Sequence, residues 1–459
     1  MFNPSIFKAY DIRGIYGVDF DDDFAYRLGL AYCRLRREES GPRATSDNMR
    51  IVAGRDMRLS SPALYGELLR GLRDGGADVI DIGLTSTPMF YFAVAHYKYD
   101  GGIQVSASHN PKDYNGFKLV RQLASPIGVE SGLVDLKRIL LDGLALTHET
   151  PGSINEHEGV LKDQMAYDFR IAGKKPIKPF HIVMDTANAM GGPYFDQFFN
   201  HLPQLRIEWL NRNLDGFFPA HEADPYKPEN VAELCTRVKA SGADFGIATD
   251  GDGDRIFFID ETGTAIEPGI MRAILAELFL KESPGATIAY DIRPGRITYD
   301  VIIANGGQPL VTKVGHTLIK EAMIDAGAYF AGESSGHFFL NMEGEGCYEV
   351  PGIVALKLMM ALSDSGLTLS EYAHPFKKYF HSGEINIPVT NPGEIIERIA
   401  ERYKDGRQSR LDGLTVEYGD YWFNVRGAQT EPLIRLNLEA IDETTMIKYR
   451  DEIRALMQA

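Results

Sequence analysis

Asp250-Gly251-Asp252-Gly253-Asp254-Arg255 sets three carboxylates at alternate positions, with glycines between, directly after the apolar run 245–248. In an extended loop, alternation turns the three side chains to one side. Their converging oxygens suit a hard cation such as magnesium, and the glycines let the backbone approach it closely. A calcium EF-hand shares these spacings through Asp250, Asp252, Asp254 and Glu261. Arg255 stands where that loop needs glycine, however, and 245–248 and 256–259 read as strands where it needs helices. A plain acidic turn would leave three like charges without a compensating cation.

Ser106-Ala107-Ser108-His109-Asn110-Pro111 follows the apolar run 102–105 and precedes Asn115-Gly116-Phe117-Lys118. Ser108 can be read as a nucleophile, as a phosphate acceptor, or as part of a structural Ser/Asn/Pro turn. No Gly-x-Ser-x-Gly surrounds it, which argues against an α/β-hydrolase elbow. Neighbouring side chains usually diverge, so His109 is expected to orient the loop or touch substrate. Arg13, Arg55, Lys118, Lys313 with His316, and Arg426 before Thr430 stand in further polar loops. Singly each is a surface charge; together they offer a positive pocket for phosphate. Gly332-Glu333-Ser334-Ser335-Gly336-His337 adds a carboxylate, hydroxyls and an imidazole able to bind sugar hydroxyls, or forms a glycine-rich turn.

Parallel α/β layers are expected to position these loops. A strand at 51–54 precedes a helix opened by Ser61-Pro62, with Leu64, Leu68, Leu69 and Leu72 on one face; Gly75-Gly76 ends it before the strand 78–83. Gly242-Ala243-Asp244-Phe245 and Gly327-Ala328-Tyr329-Phe330 repeat the helix stop followed by a strand. Three related α/β units follow from this, with their ligands beyond the carboxyl ends of the strands. The last segment reads differently, as a helix from about 392 to 404, strands at 414–418, 421–425 and 433–439, and a closing helix. It predicts an antiparallel sheet with helices on one face. Breaks place four domains at 1–150 (serine loop), 151–258 (metal loop), 259–370 (sugar recognition) and 371–459 (phosphate binding).

The 459 residues exceed one compact core, and 48 Lys and Arg against 64 Asp and Glu leave a net charge of -16. That surface repels nucleic acid and anionic membranes, so an anionic substrate needs a local basic pocket. Cys33, Cys235 and Cys347 are odd in number and widely spaced, which argues for a reducing compartment. With no signal-like start and no run of about 18 apolar residues, a cytoplasmic protein is expected, monomeric or dimeric, free of nucleic acid and membrane.

In order along the chain, Phe7-Lys8-Ala9-Tyr10-Asp11-Ile12-Arg13-Gly14, the Ser108 loop, the Asp250 loop, the Glu333 loop and 426–432 resemble the α-D-phosphohexomutase family, and in particular its phosphomannomutase/phosphoglucomutase branch. The resemblance implies four domains around a central cleft and isomerisation of sugar 1- and 6-phosphates through a bisphosphorylated intermediate. It implies that Ser108 is the phosphoserine and that Asp250, Asp252 and Asp254 hold Mg2+ with one of its oxygens, a sugar 1,6-bisphosphate acting as activator. Glu333 and Ser335 would bind sugar hydroxyls, and Arg426 and Thr430 the phosphate that is not reacting. Tyr10, Lys313, His316, His337 and Gln429 complete the substrate set. Arg13 and Arg255 would join the catalytic group, Arg255 stabilising the transferring phosphoryl. Lys118 is the leading base, with a pKa lowered by cations such as Arg13; His316 and His337 are the alternatives.

Two departures stand out: Ala428-Gln429 where relatives carry serine and then asparagine or glycine, and Cys347-Tyr348-Glu349-Val350-Pro351-Gly352 after the Glu333 loop. Competing readings are a phosphoglucosamine mutase, which shares the Ser-Ala-Ser-His-Asn-Pro loop, a metal-dependent sugar phosphatase, and an inactive sugar-phosphate-binding protein.

Overall fold

The computed structural model describes residues 2–40, 49–143, 150–293, 295–427 and 433–458. These fall into two compact units, Met1–Ile266 with Ser335–Tyr372, and Glu267–Ser334 with Ala373–Ala459.

The first unit holds two mixed sheets. Strands β1 (Ile12–Ile15), β2 (Arg50–Arg55), β3 (Asp78–Leu84), β4 (Gly101–Val105), β5 (Tyr114–Arg121) and β6 (Ile154–Glu156) lie in the order β1-β5-β4-β2-β3-β6. Pairings among β2, β3, β4 and β6 are parallel; β5 runs antiparallel to β4 and β1. Helices α1 (Asp22–Ser40), α2 (Ser61–Asp74), α3 (Thr87–His96) and α4 (Val134–Leu141) accompany them. Leu64, Leu68 and Leu72 of α2 bury the face foreseen from their spacing, beside Phe24, Phe117 and Val105.

The second sheet orders β7 (His181–Asp185), β8 (Arg206–Leu210), β9 (Phe245–Thr249) and β10 (Ile256–Asp260) as β10-β9-β7-β8, with β9 and β10 antiparallel. Its helices are α5 (Val160–Ala172), α6 (Gly191–Phe199) and α7 (Pro228–Ser241). Gly242, at φ +64°, ends α7 as its place in the repeated phrase predicts. A hairpin of Phe338–Met342 with Gly346–Glu349 and the buried helix Pro351–Ser365 complete this unit.

In the second unit β11 (Thr287–Asp291) pairs in parallel with β12 (Gln308–Thr312) and β13 (Phe330–Gly332). Helices α8 (Pro268–Glu282), α9 (Arg296–Ala304) and α10 (His316–Ala326) accompany them, and Gly327 at φ +61° stops α10. Its remainder is antiparallel, built from β14 (Phe380–His381), β15 (Ile385–Pro388), β16 (Arg407–Ser409), β17 (Leu414–Glu417), β18 (Tyr421–Gly427) and β19 (Leu433–Ala440). Alternate residues Leu414, Val416, Tyr421, Phe423 and Val425 form a core with Ile399 of α11 (Pro392–Arg402) and Ile453 of α12 (Glu443–Gln458). Among the described residues no single helix is long and apolar enough to cross a membrane.

Candidate active site

The loops leaving β4 and β9 meet in the first unit. Ser108 Oγ donates a hydrogen bond to Asp250 Oδ2 at 2.7 Å, with both residues buried. Ser108 takes a left-handed backbone, φ +48°. That turn overturns the expectation that His109 diverges from it, because the His109 Nδ1 atom comes within 3.2 Å of Ser108 Oγ. Burial, and then the charges of Arg255 and Arg13, hold the His109 imidazole well below its usual pKa, so it is neutral beside the hydroxyl.

Arg58 holds the serine loop from below, and it was missing from the residues singled out by sequence. Its guanidinium donates to the carbonyls of Ser108 at 2.7 Å, Asn110 at 2.6 Å, Pro111 at 2.7 Å and Tyr114 at 3.0 Å, and it pairs with Asp56 at 3.3 Å. The one signal for it was its place in the polar run Arg55-Asp56-Met57-Arg58 after β2. Arg55, by contrast, turns to the carbonyl of Asp56. Arg13 pairs with Asp11 at 2.7 Å and donates to Asn110 Oδ1 at 2.6 Å. Against the opposing effect of burial, Asp11 and Asp252 raise its pKa and keep it charged.

Asp250, Asp252 and Asp254 are all buried, and each offers an oxygen within 4.8 Å of the others. Strands flank the loop on both sides, as expected against an EF-hand. Backbone N–H groups of Gly253 and Arg255 donate to Asp250 Oδ1 at 3.1 and 3.2 Å. Burial, together with the charges of Asp252 and Asp254, pushes Asp250 well above the carboxylate range. Asp252 Oδ1 is buried with no hydrogen-bond partner among the described residues. An all-oxygen donor set, mutual repulsion and an unbonded inward oxygen fit a hard divalent cation.

Lys118 corrects a second expectation. Its ammonium lies 2.7 Å from Asp252 and 2.6 Å from Asp254. Burial alone would lower its pKa, but the two carboxylates outweigh both burial and Arg13, and raise it well above the ordinary lysine value. Lys118 is therefore protonated in this arrangement.

His337 Nε2 lies 3.1 Å from Asp254 Oδ1 and 3.4 Å from Arg255 Nε, while Nδ1 is 2.9 Å from Ser335 Oγ. With the proton on Nε2 the ring bonds Asp254; with it on Nδ1 the ring bonds Ser335 and accepts from Arg255. Arg255 also faces Asp224 at 3.7 Å. The departing stretch gains a partial account here, since buried Glu349 brings a carboxylate oxygen within 4.8 Å of ligand atoms on Asp254 and His337. Tyr10 is half-buried just before β1.

Glu333, Lys313, His316 and Arg426 belong to the second unit. Glu333 Oε1 accepts from Arg293 at 3.1 Å and from the Gly315 N–H at 3.0 Å. Lys313 is exposed and His316 begins α10. Arg426, 5% exposed, pairs with Glu384 at 2.5 Å. Burial would raise the Glu384 carboxyl, yet Arg426 and Arg293 hold it below its usual value. Arg293, Gly315 and Glu384 were not singled out by sequence, since they become partners only through folding. Ala428, Gln429 and Thr430 lie outside the described residues.

Four family models match in order: phosphoglucomutase/phosphomannomutase α/β/α domain I over residues 4–132, domain II over 163–263, domain III over 268–379 and the C-terminal domain over 384–456. A phosphomannomutase of Methanocaldococcus jannaschii is 36% identical over 98% of this chain and 97% of its own. Phosphohexose mutases of Xanthomonas campestris are 36% identical over 97% of both chains. A phosphoglucomutase/phosphomannomutase family structure from Burkholderia thailandensis superposes with TM-score 0.89 at 32% identity, covering 100% of this chain and 98% of that one. The fold alone is shared, at 14% identity and TM-score 0.63, with an Aspergillus fumigatus N-acetylphosphoglucosamine mutase in complex with GlcNAc-6P and magnesium; the match covers 98% of this chain and 95% of that one. By four domain models in order and relatives alike from end to end, this chain belongs to the phosphoglucomutase/phosphomannomutase family.

Proposed function

We propose that the chain interconverts hexose 1-phosphate and hexose 6-phosphate, of mannose and/or glucose, through a phosphorylated Ser108 and a bisphosphorylated sugar. The observation that carries this is Ser108 Oγ bonded to Asp250 inside a buried cluster of three carboxylates. Asp250, Asp252 and Asp254 would hold Mg2+ with an oxygen of the phosphorylated serine, and bound there it would draw charge from the transferring phosphoryl group. The A. fumigatus neighbour, crystallised with a sugar phosphate and magnesium, supports that pairing of ligand and metal for this fold.

In the first half-reaction a sugar hydroxyl attacks phosphorus. The bond from phosphorus to Ser108 Oγ breaks as the new P–O bond forms, the hydroxyl proton goes to a base, and Ser108 recovers a proton. After the bisphosphate turns round, its other phosphoryl returns to Ser108 by the reverse exchange. Arg13 and Arg255 would stabilise the equatorial oxygens. Lys118 can serve as base only where the cation offsets the carboxylates that now hold its proton; His337, with a side chain that carries its proton on either nitrogen, is the second candidate. His109 would exchange hydrogen bonds with Ser108 Oγ. Glu333 and Ser335 would bind sugar hydroxyls, Arg426 and Thr430 the phosphate that is not reacting, and Tyr10, Lys313, His316, His337 and Gln429 would complete the substrate contacts. A sugar 1,6-bisphosphate would load the serine at the start. The four-module division at 1–150, 151–258, 259–370 and 371–459 is part of the same reading.

The test is a coupled assay with mannose 1-phosphate, glucose 1-phosphate and glucosamine 1-phosphate, with Mg2+ and a trace of bisphosphate, beside Ser108→Ala. Hexose 6-phosphate from the unaltered protein alone is expected. Free phosphate without isomerised sugar would replace the reading with a phosphatase, and turnover of the amino sugar alone would replace it with a phosphoglucosamine mutase.

A further inference from the structure

Helix α3 begins against the aspartate loop, and no step above makes use of it. The Thr87 N–H donates to the Asp252 carbonyl at 2.9 Å, and the buried Thr87 hydroxyl lies 2.6 Å from Asp252 Oδ2. On the hydroxyl's other side stands buried Gln104 of β4, with Oε1 at 2.8 Å and Nε2 donating to the Thr85 carbonyl at 3.2 Å. A hydroxyl has one proton, and the nearer, ionised carboxylate takes it. Lys118 Nζ reaches the same Oδ2 at 2.7 Å. Protein donors thus occupy Oδ2, while Oδ1 of the same carboxylate is buried with no hydrogen-bond partner among the described residues.

We infer that Thr87 is a positioning residue for the metal: its hydroxyl locks the Asp252 carboxylate so that Oδ1 is the oxygen offered to the divalent cation. The inference rests on the metal reading given under Proposed function. Asp254 Oδ1 is likewise buried with no hydrogen-bond partner among the described residues, but of the three acids it is Asp252 that the Thr87 hydroxyl bonds. Asp250 is oriented by the backbone of its own loop and by Ser108. Asp254 is set by Lys118 and faced by His337. With the Thr87 hydroxyl removed, Asp252 Oδ2 would keep only an ammonium that it shares with Asp254, and the carboxylate could rotate away from the cation position.

Supporting contacts behind metal ligands typically carry about 10- to 100-fold in affinity. Full-length wild type, Thr87→Val and Thr87→Ser are compared for Mn2+ binding without sugar, by paramagnetic resonance and calorimetry. Thr87→Val is expected to bind about 10- to 100-fold more weakly, and Thr87→Ser, which keeps the hydroxyl, within about threefold of wild type. Equal affinity in Thr87→Val and wild type overturns the inference and leaves the helix contact as packing. If Thr87→Val does not fold, Thr87→Ala is read in its place; it removes the hydroxyl without adding volume and is expected to weaken Mn2+ about 10- to 100-fold, and unchanged affinity there overturns the inference as well. Wild type that binds no Mn2+ sinks the metal reading itself, a result distinct from equal binding by wild type and variant.

Discussion

Gly251 sits where the aspartate loop crosses the serine loop. A Cβ there would lie 2.2 Å from the Ser108 carbonyl oxygen and 3.1 Å from its carbon, so the loops must part by about 1 Å or more to reach van der Waals contact. The same carbonyl is pinned by Arg58 at 2.7 Å, so the serine loop cannot yield freely. Parting by that amount would stretch the 2.7 Å contact of Ser108 Oγ with Asp250 beyond hydrogen-bond range. Misplacing reacting groups by about 1 Å costs on the order of 100-fold in rate, so Gly251→Ala is expected to lower kcat by about that factor. Overpacking of this kind also destabilises by about 1–3 kcal/mol. Gly253→Ala is the matched control. Its neighbours leave room at 3.4 Å but its φ is +75°, so the penalty is backbone strain of about 1–2 kcal/mol with a smaller loss of rate. Coupled turnover and urea unfolding are measured on both. Gly251→Ala with kcat within about threefold of wild type, or less impaired than Gly253→Ala, would refute the interlock of the two loops.

Arg58→Lys keeps the charge but cannot span four carbonyls; losing the extra bonds from a buried site should destabilise by about 2–4 kcal/mol in urea unfolding, and unchanged stability would show the fork to be dispensable. Asp168, buried and accepting from the Tyr194 hydroxyl at 2.7 Å, has its pKa raised by burial from 3.8 to about 7. The native state therefore holds a proton that the unfolded chain releases, and the associated stability, present below pH 3.8, is lost as pH rises towards 7. Asp168→Asn mimics the protonated form, so its advantage over wild type should grow by about 2 kcal/mol between about pH 5.5 and 8 and level off above 7; parallel stability profiles would contradict the raised pKa.

Alternation, caps and loop chemistry are local properties, and they were legible without coordinates. The apolar runs before Ser108 and Asp250 became β4 and β9 because a short apolar run between polar loops buries itself in a sheet. Gly242 and Gly327 ended their helices because a left-handed cap favours glycine. The candidate cation site could be read from three acids at alternate positions, since like charges so close require compensation. Partners distant in the chain could not be read in this way. Arg58, Thr87, Gln104, Arg293 and Glu384 look like ordinary polar residues until folding carries them to the serine loop, the aspartate loop, Glu333 and Arg426. Lys118 shows why tertiary structure also decides electrostatics. Cations such as Arg13 suggested a lowered pKa, but the sheet pairing that brings β5 beside β4 leaves its ammonium within 2.7 Å of Asp252 and 2.6 Å of Asp254. Charge interactions fall off with distance through space and take no account of separation along the chain, so the sign of that shift was set by the fold.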